Sequence, residues 1–539
     1  MEKYIWGKRE LRLKKQTFIH GAIILLAAGI INRLLGFIPR IALPRIIGPE
    51  GVGLYQQGYP FFIVLVTLIT GGIPLAVAKL VAEAETAGQP EMSRRILHTS
   101  LRFTITLSLL AMVLCLVFAP WITNHILTDS RVYYTFISMS PMIVIVAVSS
   151  AYRGYFQGKQ NMIPSASSSI AETVMRIFCV IWFAYLLLPY GIAYAAAGAM
   201  LGALAGELIG MVVLLWQYAM DQRREGSPPQ TKSSLSSEAR PEESSVLSRL
   251  MSISVPVTAG RLVGSLSYLL ESILCMRSLA VAGIATGIAT AQYGAMQGMV
   301  IPVLLLPGVL TSSLAVSLVP SLSEAAAKGH TTAIHKRLHQ SLRLALVAGA
   351  PFAVIMYVLA EPLCLILYNN SDIAGMLKLM APFALFMYIQ APLQAALQAL
   401  DRPGSALFNT FVGAVIKIVL IVWLASQPQY GIYGAVIAIC INNTIVTLLH
   451  GFSVSRLLRF RVRLLDFWKT GAGMVIMAAA VLYVYRHLAV FNQMWLQFIF
   501  AAGVGIILYL FLMTSIKMID WDNLTRIPIL RRWFKTKEI

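Results

Sequence analysis

Apolar residues run along this chain in stretches of about twenty or more, separated by short polar breaks rich in Lys and Arg. Stretches of that length match roughly 30 Å of hydrocarbon at 1.5 Å per helical residue. They predict spans over 17–42, 54–80, 95–119, 132–157, 164–188, 192–219, 250–278, 291–319, 336–360, 374–400, 404–426, 431–457, 466–488 and 494–517. Several contain Pro, among them Pro39, Pro60, Pro141, Pro302 and Pro382. Such residues are tolerated where neighbouring helices or a cavity re-satisfy the backbone. The expected fold class is an all-α integral membrane protein with about fourteen transmembrane helices.

The breaks give an orientation. Lys8, Arg9, Arg12 and Lys14 precede the first stretch, and alternate counting puts Arg94, Arg95, Lys159, Arg223, Lys336, Arg337, Arg456 and Arg459 on the same side. The other side receives little beyond Arg45, Arg131, Lys378 and Arg486. The positive-inside rule then puts both termini in the cytoplasm and makes the span count even. The first stretch is too long for a signal peptide. Asn32 and Arg33 follow where a small-residue cleavage site would be, so the span is expected to be retained.

Residues 220–248 are polar and rich in Ser, Pro and Glu, which predicts a flexible cytoplasmic linker. It separates two similar halves. Leu-His-Thr-Ser-Leu-Arg at 97–102 recurs as Leu-His-Gln-Ser-Leu-Arg at 338–343, and the same displacement carries Ala119 onto Ala360, Pro141 onto Pro382 and Gln157 onto Gln398. Each half holds six spans. An even number keeps both in the same orientation, related by a pseudo-twofold axis along the membrane normal, as in rocker-switch carriers. The expected organisation is a basic cytoplasmic N-terminus at 1–16, an N-lobe at 17–219, the linker at 220–248 and a C-lobe at 249–457. Two further helices at 458–518 and a basic cytoplasmic tail at 519–539 complete it.

Composition sharpens the picture. Of 539 residues, 58% are hydrophobic and 12% charged, about half the charge of a soluble protein. The net charge of +20 would suit nucleic acid, but the cations sit in short clusters between apolar stretches, so no nucleic-acid partner is expected. The five cysteines all fall in apolar stretches without metal-ligand spacing and read as small buried hydrophobes.

Charges inside the stretches need a reason, because an ion at mid-bilayer costs several kcal/mol on most scales. Arg261, Arg176 and Lys417 lie roughly eleven to thirteen residues into their spans, close to the midplane, and Arg33 lies deep in the first. Glu172, Glu207 and Glu271 are the acidic counterparts. Glu172 and Arg176 are one helical turn apart and in the favourable order for local pairing. Arg33, Arg261 and Lys417 have no partner nearby in sequence and are candidates to line a cationic cavity for an anionic substrate. The plainer alternative is interhelical pairing with Glu207 or Glu271, or snorkelling. Arg40, Arg45 and Arg277 lie near the outer edge, where snorkelling suits them better, although Arg40 also belongs to the candidate cavity set.

Catalytic signatures are missing from the pattern. The histidines show no metal-binding spacing, and no Gly-rich phosphate loop precedes a Lys-Ser or Lys-Thr. No metal, cofactor or direct ATP coupling is expected. The outer loops are too short for an embedded glycosyltransferase, and the expectation is a transporter.

The segment Ser-Ser-Ala-Tyr-Arg-Gly-Tyr-Phe-Gln-Gly-Lys-Gln-Asn-Met-Ile-Pro at 149–164 adds a resemblance, together with Ala-Glu-Thr-Val-Met-Arg-Ile at 171–177 and Leu-Pro-Tyr-Gly-Ile-Ala-Tyr at 188–194. With Gly-Pro-Glu-Gly-Val-Gly-Leu-Tyr at 48–55 and Arg-Leu-Val-Gly-Ser-Leu-Ser-Tyr-Leu-Leu-Glu at 261–271, it resembles the stage V sporulation protein B-like branch of the polysaccharide flippases. That branch belongs to the MOP superfamily, beside the MurJ lipid II flippases and the MATE exporters. The resemblance implies a carrier of an undecaprenyl-pyrophosphate-linked saccharide, a peptidoglycan precursor such as lipid II for spore cortex. Arg33 and Arg261 match the cavity arginines of MurJ-like members by position and type. Membrane lipids and cell-wall synthesis proteins are the implied partners. Two other readings stay open: a MATE-like exporter of small cations, which would want unpaired carboxylates, and a non-transporting scaffold of cortex synthesis.

Overall fold

The computed structural model describes residues 18–225, 243–460, 463–488 and 491–519, and every regular element among them is helical. The expected N-terminus at 1–16, most of the linker and nearly all of the tail at 519–539 lie outside the described residues. Twelve helices are long and apolar enough to cross a membrane, or thirteen when the bent pair Ala374–Met380 and Ala384–Ala399 is taken as one span.

The first of the twelve, Ala27–Thr86, is 60 residues long. A straight helix of that length would measure about 90 Å, far more than one bilayer, so this run accommodates both spans expected over 17–80. No loop separates them. Helix Phe37–Thr70 continues through the expected break and departs from helical geometry only at Gly48 (φ 67°, ψ 177°). Gly48 supplies the positive φ and Pro49 restarts the helix, so one residue does the work of a loop. A second break at Gly71 and Gly72 leads into Ile73–Thr86. The stretch expected as a single span over 291–319 is also broken. Thr286–Gly294 passes into a π-turn at Ala295–Val300, and Pro307 separates the short helix Ile301–Leu305 from Gly308–Ala327. In the bent pair the axis turns by 47° beside Pro382.

The described residues form two compact units. One comprises those through Pro39, Gly58–Thr123 and Arg131–Leu266; the other comprises Arg40–Gln57, Asn124–Ser130 and those from Ser267 onward. This division differs from the expected one at the linker. Helix Glu243–Val281 is continuous, and its first turns pack in the first unit, where Val246 and Leu250 join Ile73, Val77, Leu80 and Leu97 in one buried cluster.

Small residues bring the helices together. In the first unit Gly198, Gly202, Gly206 and Gly210 form a stripe on Ile192–Glu225, facing Ile163–Leu187. A Cβ at Gly202 would lie 2.4 Å from the Val180 nitrogen, so the backbones touch there. Close backbone approach lets dispersion and short polar contacts replace the hydrophobic drive that lipid abolishes. In the second unit Gly53 faces the Thr290 carbonyl at 2.0 Å from an added Cβ, and Gly294 faces Gly53 and Pro49. The Gly-Val-Gly of 51–53 is therefore a packing device. The last two helices, Leu464–His487 and Met494–Ser515, pack on each other and on Thr331–Val358 through Val347, Val354, Met477, Val481, Tyr509 and Met513.

Candidate functional site

The glycine stripe positions a charged quartet in the first unit. Gly206 and Gly210 lie against Arg176 and Glu172, leaving room for the side chains of Ile163–Leu187 to meet those of its neighbours. Arg176 donates to Glu172 at 2.6 Å and to Glu207 at 2.6 Å, and Arg153 donates to Glu172 at 2.7 Å. Two cations and two anions balance. The pairing of Glu172 with Arg176 follows from their spacing, whereas Glu207 and Arg153 arrive from other helices. Arg153 joins them from the apolar run 142–158, where the presence of an arginine is the one signal that the sequence offers.

The second unit holds a different centre. The Lys417 ammonium donates to Glu271 Oε2 at 2.5 Å, and Gln297 Nε2 donates to Oε1 at 2.6 Å. The two charged side chains are 12% and 7% exposed. Lys417, which has no partner nearby in sequence, pairs across helices with Glu271, the plainer of the two readings given above. Gln297 had no sequence signal at all. It sits in the π-turn Ala295–Val300, whose extra residue per turn redirects side chains. These three groups border a cavity of about 210 Å³, with Tyr268, Asn442 and Asn443 as its other polar walls. Ile301, Phe383 and Met387 supply apolar walls.

The other candidate cations are placed differently. Arg33 ends helix Phe18–Leu35, Arg261 lies within Glu243–Val281, and both are exposed residues of the first unit. Beside Arg33, Asn32 donates to Ser169 at 2.6 Å and ties its helix to Ile163–Leu187. Arg40 is exposed and belongs to the second unit. Neither Arg40 nor Arg261 forms an ion pair among the described residues. Arg45 and Arg277, expected to snorkel, bind carbonyls instead. Arg45 donates to Leu367 O at 2.7 Å and to Ile366 O, at the C-terminal end of Ala360–Tyr368, where a cation favours the helix dipole. Arg277 donates to His125 O at 2.7 Å in the π-turn Ile122–Ile126.

Glu172, Glu207 and Glu271 are thus each paired with a cation, and exposed guanidinium groups remain on Phe37–Thr70 and Glu243–Val281. Comparison with known proteins gives this pattern a family. The polysaccharide biosynthesis protein family model matches residues 18–326, and the MatE model matches 265–423. The chain is similar to stage V sporulation protein B of Bacillus subtilis (strain 168), 40% identical over 96% of this chain and 99% of that one. It is also similar to the lipid II flippase MurJ of the same organism, 25% identical over 80% of this chain and 81% of that one. Among solved structures it resembles the lipid II flippase MurJ in an inward closed conformation (TM-score 0.69, 16% identity, 93% of this chain and 100% of that one). It also resembles an inward-facing MATE family transporter of the MOP superfamily (TM-score 0.60, 16% identity, 81% of this chain and 98% of that one). Fold, sequence and the run of apolar helices agree: the chain is a multi-pass membrane protein of the polysaccharide biosynthesis protein family, whose relatives include a lipid II flippase, and it shares its fold with MurJ and with MATE transporters.

Proposed function

We propose that this protein is a flippase that carries an undecaprenyl-pyrophosphate-linked saccharide, a peptidoglycan precursor of the lipid II type for spore cortex, from the inner to the outer leaflet by alternating access. The observation that carries this reading is the exposure of Arg40 and Arg261, which form no ion pair among the described residues, set against the paired state of Glu172, Glu207 and Glu271; Arg33 is exposed as well. A saccharide on a pyrophosphate cannot cross hydrocarbon unaided, because each unpaired polar group costs several kcal/mol. Fixed guanidinium groups offset the desolvation of the pyrophosphate and can bind it in bidentate fashion. An exporter of small cations would instead need a free carboxylate, and each of the three is already neutralised by a lysine or arginine. The relation to a lipid II flippase and to a sporulation protein supports the substrate class and the wall it serves.

A driving force is available without ATP. With both termini in the cytoplasm, an inside-negative potential favours outward movement of the anionic headgroup by about 2.3 kcal/mol per charge per 100 mV. The reading is tested with purified protein in liposomes carrying fluorescent lipid II, by the rate at which the label becomes accessible to a reagent outside. Protein-dependent transfer that accelerates under an inside-negative potential is expected. Transfer no faster than in empty liposomes, with intact binding of cell-wall synthases, would make the protein a scaffold.

A further inference from the structure

The Glu271 carboxylate is held at both oxygens, by Lys417 at Oε2 and Gln297 at Oε1, and the pair borders a cavity of mixed polar and apolar lining in place of solid packing. A salt bridge whose only task is to join two helices gains nothing from such a space. The lysine ammonium is a compact charge on a flexible four-carbon stem, able to change partners without any movement of backbone. The cavity beside the pair, about 210 Å³, has room for several waters.

We propose that Lys417 is a shared cation, for which Glu271 and the anionic headgroup compete, and that a proton replaces the ammonium on Glu271 when the headgroup binds. The inference rests on the flippase reading and adds a proton-binding site to it. When the ammonium donates its N–H to a phosphate oxygen, a largely buried ionised carboxylate is left with Gln297 as its remaining donor, which is strongly unfavourable. A proton from water in the cavity, bound at Oε2, removes that charge, with Gln297 still donating to Oε1. On release of the headgroup the proton leaves by the same water and the ion pair re-forms.

The other titratable groups facing Glu271 do not compete for this role. On its own helix these are Tyr268 and Cys275, on Thr286–Gly294 it is Tyr293, and on Ile432–Leu458 it is Cys440. All are phenols or thiols whose ordinary titration lies above neutral pH. Among the described residues lining the cavity, Glu271 is the one carboxylate and Lys417 the one cation.

The test is calorimetric titration of undecaprenyl pyrophosphate into the full-length protein in lipid nanodiscs near neutral pH, in buffers of different ionisation enthalpy. The expected result is uptake of about one proton per headgroup bound, with affinity tightening by up to tenfold per unit fall in pH. A cation binding a phosphate drives protons off the phosphate, so the sign separates the two effects. In Glu271→Gln the uptake vanishes. Should that variant not fold, the double variant Glu271→Gln/Lys417→Met removes both charges, and it must bind the headgroup more weakly than the wild type and without taking up a proton. Binding with no uptake, or with release, overturns the shared-cation switch and leaves the flippase reading standing. No binding by the wild type defeats both.

Discussion

Replacing Lys417 by methionine would leave the Glu271 carboxylate, 7% exposed, with Gln297 as its remaining donor. Breaking a buried pair from one side costs about 3–5 kcal/mol, whereas removing both charges together is often close to neutral. Lys417→Met should therefore melt well below the wild type in detergent, and Glu271→Gln/Lys417→Met should recover most of the loss. Equal melting of the single and double variants would show that the pair carries no coupling. This pair also shows where residue-level reading of the chain runs out. Glu172 and Arg176 lie a turn apart and announce their bond, but Glu271 and Lys417 are 146 residues apart. Arg33, Arg40 and Arg261 were visible as ions in apolar runs. Which ion pairs with which depends on helix neighbours that spacing alone does not supply.

Between elements, the glycines divide into those that touch and those that do not. At Gly202 an added methyl would meet the Cys179–Val180 backbone at 2.4–2.5 Å, and at Gly503 it would meet nothing within 4 Å. Gly202→Ala should push the two helices apart, strain the Arg176–Glu207 bond below it and lower the melting temperature. Gly503→Ala, which only restrains the unfolded backbone, should be neutral or stabilising by up to about 1 kcal/mol. Matching thermal unfolding curves for the two variants would contradict the stripe as a packing surface. The spacing of Gly198, Gly202, Gly206 and Gly210 was legible in the sequence, since small residues four apart form a helix face. The breaks were less so. Gly48-Pro49 looks like an ordinary loop signal, yet helix resumes at once on either side. The π-turn at 295–300 has no composition that sets it apart.

At the scale of the molecule, hydropathy carries far, because lipid demands long apolar helices with internally paired backbones. It therefore marked almost every helix, but not the packing of Arg40–Gln57 with the second unit, which turns on the Gly53–Gly294 contact. The proposed orientation can be checked directly, since all five native cysteines are buried and give little background. In intact cells a membrane-impermeant maleimide should label Gln429→Cys, at an exposed position between two spans, and should spare Ser234→Cys in the linker until the cells are opened. The reverse pattern would invert the topology and with it the direction of transport. The central claim is that exposed guanidinium groups hold an anionic headgroup on its way across, and the most direct measurement is the lipid II transfer rate of Arg261→Gln and Arg33→Gln in proteoliposomes, with Arg261→Lys as the charge-conserving control. Loss of a charged hydrogen-bonding partner, worth about 1.5–3 kcal/mol, predicts roughly ten- to hundredfold slower transfer for each glutamine variant and partial recovery for the lysine. Folded glutamine variants that transfer lipid II as fast as the wild type would contradict it.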